Sequence, residues 1–547
     1  MRSHLLQAGP SPRARARRVP VPRAVASAPP SMAGARSREM AKADSPPPDL
    51  RWLGRTLEAL ALATFVVLFF IVPNGAAPWV LVANLVTFYL LFFRAIAVPD
   101  RILPWLPSYL SIEVLFFAFS YLIFYYQYQL FLLGRTDLSE SVYVTNSFVD
   151  GSNKAITLAT VGMLAFTLGY RVLGKAAHVV GADSDESRSG RNEHSNAPSP
   201  YFHAMATASS ALLISIVALY LLAGWRSANE GRYTRTTTQN LGIEGTFMLI
   251  LTFCMIVAAL WIYALAGKLR RPPMLAFGLV VAIAWSVRLL VLGNRSSFLL
   301  VALVLLGGYF TFVRRAPLML LVVAFGSWMF VYRIVESVRH IPNWYGSGNF
   351  WELLYNSPDY LKSSAESSFN ITTVGLRATV QTVPETYDFM YGIFKLVQFC
   401  SIIPFSGKLY LPYLQPEYTN SQELLRDIMI GTWSTWDPGT NVISDPYIDF
   451  GVPGVVVMLF AIGLTAKAMR NYVARDPYDA HRVVMYLLTM ALFAELPRYT
   501  TDVSLRVLAW ALIFSIVTRA VIGRFRSQSP DPLIAREVDE RPNLARR

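Results

Sequence analysis

Charged residues near the ends of apolar runs carry the chemistry this chain could perform. Arg288, Arg295, Arg333, Arg339, Arg498 and Arg506 fall at or near span ends on one side of the inferred membrane, and Arg226, Arg232 and Arg235 lie in another loop of that side. Cations set partly inside an apolar slab are costly and usually mark a pathway or a ligand. The guanidinium fork matches phosphate oxygens and stays charged at any working pH, so the ligand these residues suggest is anionic. "GTNVISDPYIDFGVPG", residues 439–454, adds Asp445 and Asp449 on either side of Tyr447, followed at once by Gly451, Pro453 and Gly454. In "VRHIPNWYGSGNF", residues 338–350, Arg339 and His340 open a long polar segment. Histidine has an unperturbed pKa near 6.5, which suits a general base.

Each residue also has an ordinary structural reading. A single arginine at a span end is a common snorkelling anchor. Arg288 and Arg295 share a face only if one helix runs through both. Arg333 with Glu336, and Glu495 with Arg498, have the spacing of intrahelical ion pairs. Asp449 can serve as a helix cap. What favours chemistry is the number of arginines converging on one membrane face. The sequence has no phosphate-cradling glycine loop, nucleophile elbow or zinc motif, so neither a metal nor another cofactor is expected. Several arginines are then the available means of neutralising phosphate charge.

The elements that must position these residues are membrane helices. Of 547 residues 54% are hydrophobic and 15% charged, against about a quarter charged in soluble domains. Twelve spans are expected, near 57–73, 77–93, 108–131, 155–173, 202–224, 246–266, 274–292, 297–313, 317–333, 451–470, 482–496 and 503–523. The pair 274–292 and 297–313 is close enough to form one broken element. Residues 1–50 read as a disordered basic tail, with Met40 a possible start, 174–200 as a cytoplasmic linker and 524–547 as a second tail. Basic residues cluster in alternate loops, at Arg94 and Arg101, Arg171 and Lys175, Lys268 to Arg271, Arg314 and Arg315, Arg470 to Arg482, and Arg524 and Arg526. The positive-inside rule then makes both termini cytoplasmic and puts 334–450 outside.

The net charge of +14 is spread over these loops, and no polar domain is present to carry a nucleic-acid patch. Two cysteines, Cys254 and Cys400, make neither a disulfide framework nor a metal cluster. The outer segment is long enough to fold for a purpose. Within it, "WELLYNSPDYLKSS" and "ETYDFMYGIFKLVQFCSII" are amphipathic, the second with Phe389, Ile393, Leu396 and Val397 directed at acyl chains.

"GT-N-VISDPYIDFGVPGVVVMLFAIGL" resembles the hallmark of bacterial oligosaccharide repeat unit polymerases of the Wzy type, in which an acid, a tyrosine and "FG-x-x-G" follow a large outer loop. "GNRSSFLLVALVLL", residues 293–306, is similar to that family's arginine-bearing entry into a middle helix, and the span layout also agrees. The resemblance implies an all-α, GT-C-like polytopic protein of the bacterial inner membrane. Its implied reaction is transfer of a polyprenyl-pyrophosphate-linked glycan to the terminal sugar hydroxyl of a second lipid-linked repeat on the outer face. A chain-length regulator and a flippase are the implied partners. Arg295 and Arg339, helped by Arg498, would hold the pyrophosphate, with Arg288 a further substrate-binding candidate. His340, Asp445 or Asp449 would orient or deprotonate the acceptor. Tyr447, with Trp433 and Trp436, would stack on sugar rings. Ligases of the same superfamily share the layout, and a lipid-linked sugar transporter is the other alternative. A transporter should show internal repeats and helices interrupted at the midplane, and neither is evident in the sequence.

Overall fold

The computed structural model describes residues 48–103, 106–139, 144, 147–174, 200–229, 241–291, 294–321, 323, 326–327, 371–403, 418–431 and 438–528. The chain divides after Gly54, and every contact below belongs to the unit Arg55–Arg547. Eight long helices come first: α1 Pro48–Ile71, α2 Pro78–Ala97, α3 Ile112–Leu132, α4 Ser152–Val172, α5 Pro200–Asn229, α6 Leu241–Ala266, α7 Pro273–Val291 and α8 Arg295–Val313. A helix at 371–382 (α9) and two short ones, α10 Ile393–Cys400 and α11 Ser421–Met429, precede α12 Ser444–Arg475, α13 Ala480–Glu495 and α14 Thr501–Gln528. Strands Asp100–Leu103 and Leu106–Ser108 pair as one antiparallel hairpin.

Ten of the described helices are long and apolar enough to cross a membrane. The remaining two expected spans fall differently. Only scattered helical residues of 317–333 are described. The other, α13, has 16 residues and is buried along nearly its whole length, packed against α3, α8, α12 and α14. The protein is therefore all-α and polytopic. The doubtful pair 274–292 and 297–313 is two helices, α7 and α8, packed together across a break that Asn294 caps.

Local chemistry sets several boundaries. Pro78 starts α2, where its missing N–H costs nothing, and the side chains of Ser111, Asn420 and Asp479 cap α3, α11 and α13. Inside the bundle α12 runs against α4. A Cβ on Gly463 would run into the Phe166 carbonyl oxygen, and one on Gly169 into that of Phe460. In lipid, where apolar surface alone gives helices little reason to associate, such close backbone approach supplies the packing.

The two ends of the bundle are tied differently. At one end the turn after α1 is held to the start of α4, because the Asn153 amide donates to the Pro73 carbonyl at 2.9 Å and its oxygen accepts from Ala77 N–H at 3.0 Å. At the other, Glu58 pairs with Arg94 at 2.5 Å and with Arg171, and Arg470 pairs with Asp100 at 2.9 Å.

Candidate functional site

The first two turns of α12 carry both candidate aspartates. Asn441 caps them, its side-chain oxygen accepting from Ile443 N–H at 3.0 Å and Ser444 N–H at 2.7 Å, so the aspartates are free for other partners. The helix breaks at Gly451, whose φ of 65° and ψ of −153° are open to glycine and strained for any other residue. Pro453 has no N–H, so the Asp449 carbonyl finds no donor one turn on. The Tyr391 N–H supplies one at 3.0 Å, and Met390 N–H does the same for Ile448 at 3.0 Å. These two bonds dock the turn before α10 against the aspartates.

Asp445 and Asp449 are both buried, and α10 covers them with its polar side. Lys395 Nζ pairs with Asp445 Oδ2 and stands 3.9 Å from Asp449 Oδ2. Gln398 Nε2 donates to both Asp445 oxygens at 3.0 and 3.1 Å, and Ser421 Oγ donates to Oδ1 at 2.7 Å. Asp445 is thereby saturated. Asp449 is not: Oδ1 accepts from the Gly392 N–H at 3.2 Å, while Oδ2 is buried with no hydrogen-bond partner. Asp449 therefore holds the N–H of Gly392, the residue that precedes α10. One ammonium thus serves two acids in a poorly solvated place, where an uncompensated charge is expensive.

The network continues into α14. Gln398 Oε1 accepts from Thr501 Oγ1 at 3.1 Å, Arg506 Nε donates to Ser401 Oγ at 3.0 Å, and Trp510 Nε1 donates to the Ile402 carbonyl at 2.9 Å. Three residues before Thr501 stands Arg498. It and Arg295, which is buried at the start of α8, are the cations that act on the buried Glu495. Arg295 and Arg498, from two parts of the chain, thus both act electrostatically on one buried acid. The Glu495 and Arg498 spacing is more than a local pair, since a second helix contributes Arg295. Arg288 is on α7 and Arg295 on α8, across the break at Asn294, and the Arg288 guanidinium lies over the Trp285 ring, 5.1 Å from the centroid.

Tyr447 turns away from the carboxylates. Its hydroxyl donates to the Val383 carbonyl at 3.3 Å and its ring packs edge-on to Phe69 and Phe389, at 6.1 and 6.2 Å. Phe389, expected to face acyl chains, is therefore occupied with Tyr447. On α10, Ile393, Leu396 and Phe399 are exposed and Val397 is half-buried, so this helix is apolar outward and polar inward. Arg339, His340, Arg333, Arg232, Arg235, Trp433 and Trp436, and the side chain of Arg226, lie outside the described residues.

Lys395, Gln398, Ser421 and Thr501 were missed by sequence reasoning. For the first two a signal exists. They are three apart on the face of α10 opposite Ile393 and Leu396, and a buried apolar-out helix makes that face the interior one.

A family model, O-antigen polysaccharide polymerase Wzy, matches residues 60–526. No curated protein and no solved structure matches the chain. The chain belongs to the Wzy O-antigen polysaccharide polymerase family, as a multi-pass protein of the inner membrane that acts on lipid-linked oligosaccharide repeat units.

Proposed function

We propose that this chain lengthens a surface polysaccharide by direct glycosyl transfer at the end of the bundle that carries Asp445 and Asp449, and that this end faces outward with both termini in the cytoplasm. The observation that carries the reading is the pair of buried aspartates sharing Lys395, beside a region where Arg295 and Arg498 gather. In the reaction the bond from the sugar C1 to the donor pyrophosphate breaks and a bond from C1 to the acceptor hydroxyl oxygen forms. The acceptor proton passes to a carboxylate, and the polyprenyl pyrophosphate leaves as an anion.

Asp449 is the base in this reading. Asp445 already accepts from Lys395, Gln398 and Ser421, whereas Asp449 Oδ2 has no donor and can take one from a sugar hydroxyl. Lys395 positions both acids. Arg295 and Arg498, with Arg339, stabilise charge on the departing pyrophosphate, the role preorganised cations play in a water-poor site. Acceptor access requires α10 to lift, since Lys395 and Gln398 cover the carboxylates. His340 is the alternative base, and substitution separates the two.

The test is deletion of the chain from its host, complementation with variants, and separation of surface glycan by length. Single capped repeats in the deletion strain mark a polymerase. Unattached long polymer would instead mark a ligase, and cytoplasmic accumulation a flippase. Asp449→Asn and the pair Arg295→Ala and Arg339→Ala should each reproduce the deletion at normal protein level. Full-length polymer from all three would remove this site.

A further inference from the structure

A second unbalanced charge lies on α9, the helix whose Thr372 carbonyl accepts from the Asn441 amide at 3.5 Å. Arg377, on α9, is 0% exposed, among the largest fully buried side chains of the protein. Its Nη1 donates to the Leu138 carbonyl at 2.9 Å. Its Nε and Nη2 are buried with no hydrogen-bond partner, and among the described residues no carboxylate pairs with it. Burial pushes its pKa below the ordinary guanidinium value, yet arginine keeps its proton in proteins. A cation held like this is unfavourable unless something negative meets it.

The surroundings supply further donors. Tyr128 is the electrostatic neighbour of Arg377 and lies beside Ser152. The backbone fits tightly here too, because a Cβ on Gly151 would run into the Arg377 carbonyl oxygen. Thr373, one turn before Arg377, donates to the Ile123 carbonyl at 2.6 Å and ties α9 to α3. The hydroxyls of Tyr128 and Ser152 and the amide of Gln127 are all buried without a hydrogen-bond partner. Buried polar atoms of α3, α4 and α9 are thus unmatched, and of these the Tyr128 hydroxyl is the one coupled to the guanidinium.

We propose that Arg377 is the centre of a phosphoryl oxyanion site. The free Nε and Nη2 lie on one edge of the guanidinium, the edge that grips two oxygens of one anion. The Tyr128 hydroxyl, with Ser152 beside it, is the nearest further donor, so the site offers more donors than one planar carboxylate can use. The same chemistry has two sources, a free inorganic phosphate or pyrophosphate and the headgroup of a lipid-linked glycan. The proposal stands without any role for Asp449.

Full-length protein in lipid nanodiscs, titrated calorimetrically with inorganic pyrophosphate alone, tests it. An Arg295→Gln, Arg339→Gln, Arg498→Gln background removes the arginines assigned to the departing pyrophosphate. Binding should persist there and weaken by about tenfold or more on adding Arg377→Gln, the loss expected for charge-assisted hydrogen bonds. Should Arg377→Gln fail to fold, Tyr128→Phe with Ser152→Ala keeps the arginine and should still weaken binding several-fold. Polyprenyl pyrophosphate in the nanodisc separates the sources: Arg377-dependent binding of the lipid alone assigns the headgroup, of inorganic pyrophosphate alone a free anion, and of both a site open to either. Binding of both probes that is unchanged by these substitutions, or no binding of either, would overturn the site. Because no polymer is read, this failure is distinct from failure of the glycosyl-transfer mechanism.

Discussion

Acids are buried at both ends of the bundle, but they are balanced differently. Glu58 sits between Arg94 and Arg171, and Asp100 has Arg470. At the other end Glu495 likewise has Arg295 and Arg498, but Asp445 and Asp449 share Lys395, and Arg377 has no acid among the described residues. Glu58 and Asp100 each leave one oxygen without a hydrogen bond too, so the contrast is in charge rather than in hydrogen-bond count. In a medium of low dielectric a matched pair is a structural fixture. An unmatched group is tolerated where something else supplies the missing partner. Under the proposed function, that is the difference between an end that holds helices together and one that receives a ligand.

The sharpest break in that contrast would come from Asp449→Asn. Loss of a general base costs about 10²–10⁴ in rate, so surface glycan should collapse to single repeats while membrane abundance stays normal. Glu58→Gln should leave the length distribution intact, and a gel in which both variants behave alike would erase the distinction. Next in size is Lys395→Met, which leaves two buried carboxylates without a cation. Thermal denaturation in detergent should show a loss of about 3–5 kcal/mol, the cost of breaking a buried pair. Adding Asp445→Asn should restore part of it.

Smaller effects refine the picture. Gly451→Ala forces a side chain into a conformation only glycine holds comfortably, with Phe389 Cζ 3.3 Å from the new Cβ, for about 1–3 kcal/mol. It should also shift Asp449 and so lower polymer yield, which separates it from a purely structural variant. Glu58→Gln should cost about 1–2 kcal/mol in the same melt, less than Lys395→Met because Arg94 is half exposed and solvent screens it.

Much of the architecture was legible in sequence because lipid demands long apolar runs. The helix Ser152–Val172 was expected at 155–173 and Leu241–Ala266 at 246–266. The start of α12 was harder. "DFGVPG" reads as the beginning of a span, yet helix precedes the break as well as following it, because Asn441 caps those first turns from outside. Asp445, Asp449, Arg295 and Arg498 were recognisable as charges in apolar company. Lys395 was not, since a lone lysine in an amphipathic stretch reads as one anchored at the membrane surface.

By itself the sequence determined that the chain crosses a membrane many times, which end of each span carries charge, and which family it resembles. These follow from hydropathy and residue type, which are properties of the chain in order. Tertiary structure alone decided that Lys395 lies between two aspartates, that Arg288 and Arg295 sit on different helices, and that Arg377 is buried with no acid paired to it among the described residues. Those are matters of which distant segments meet, and the price of an unmatched charge is set only when the surrounding helices exclude water.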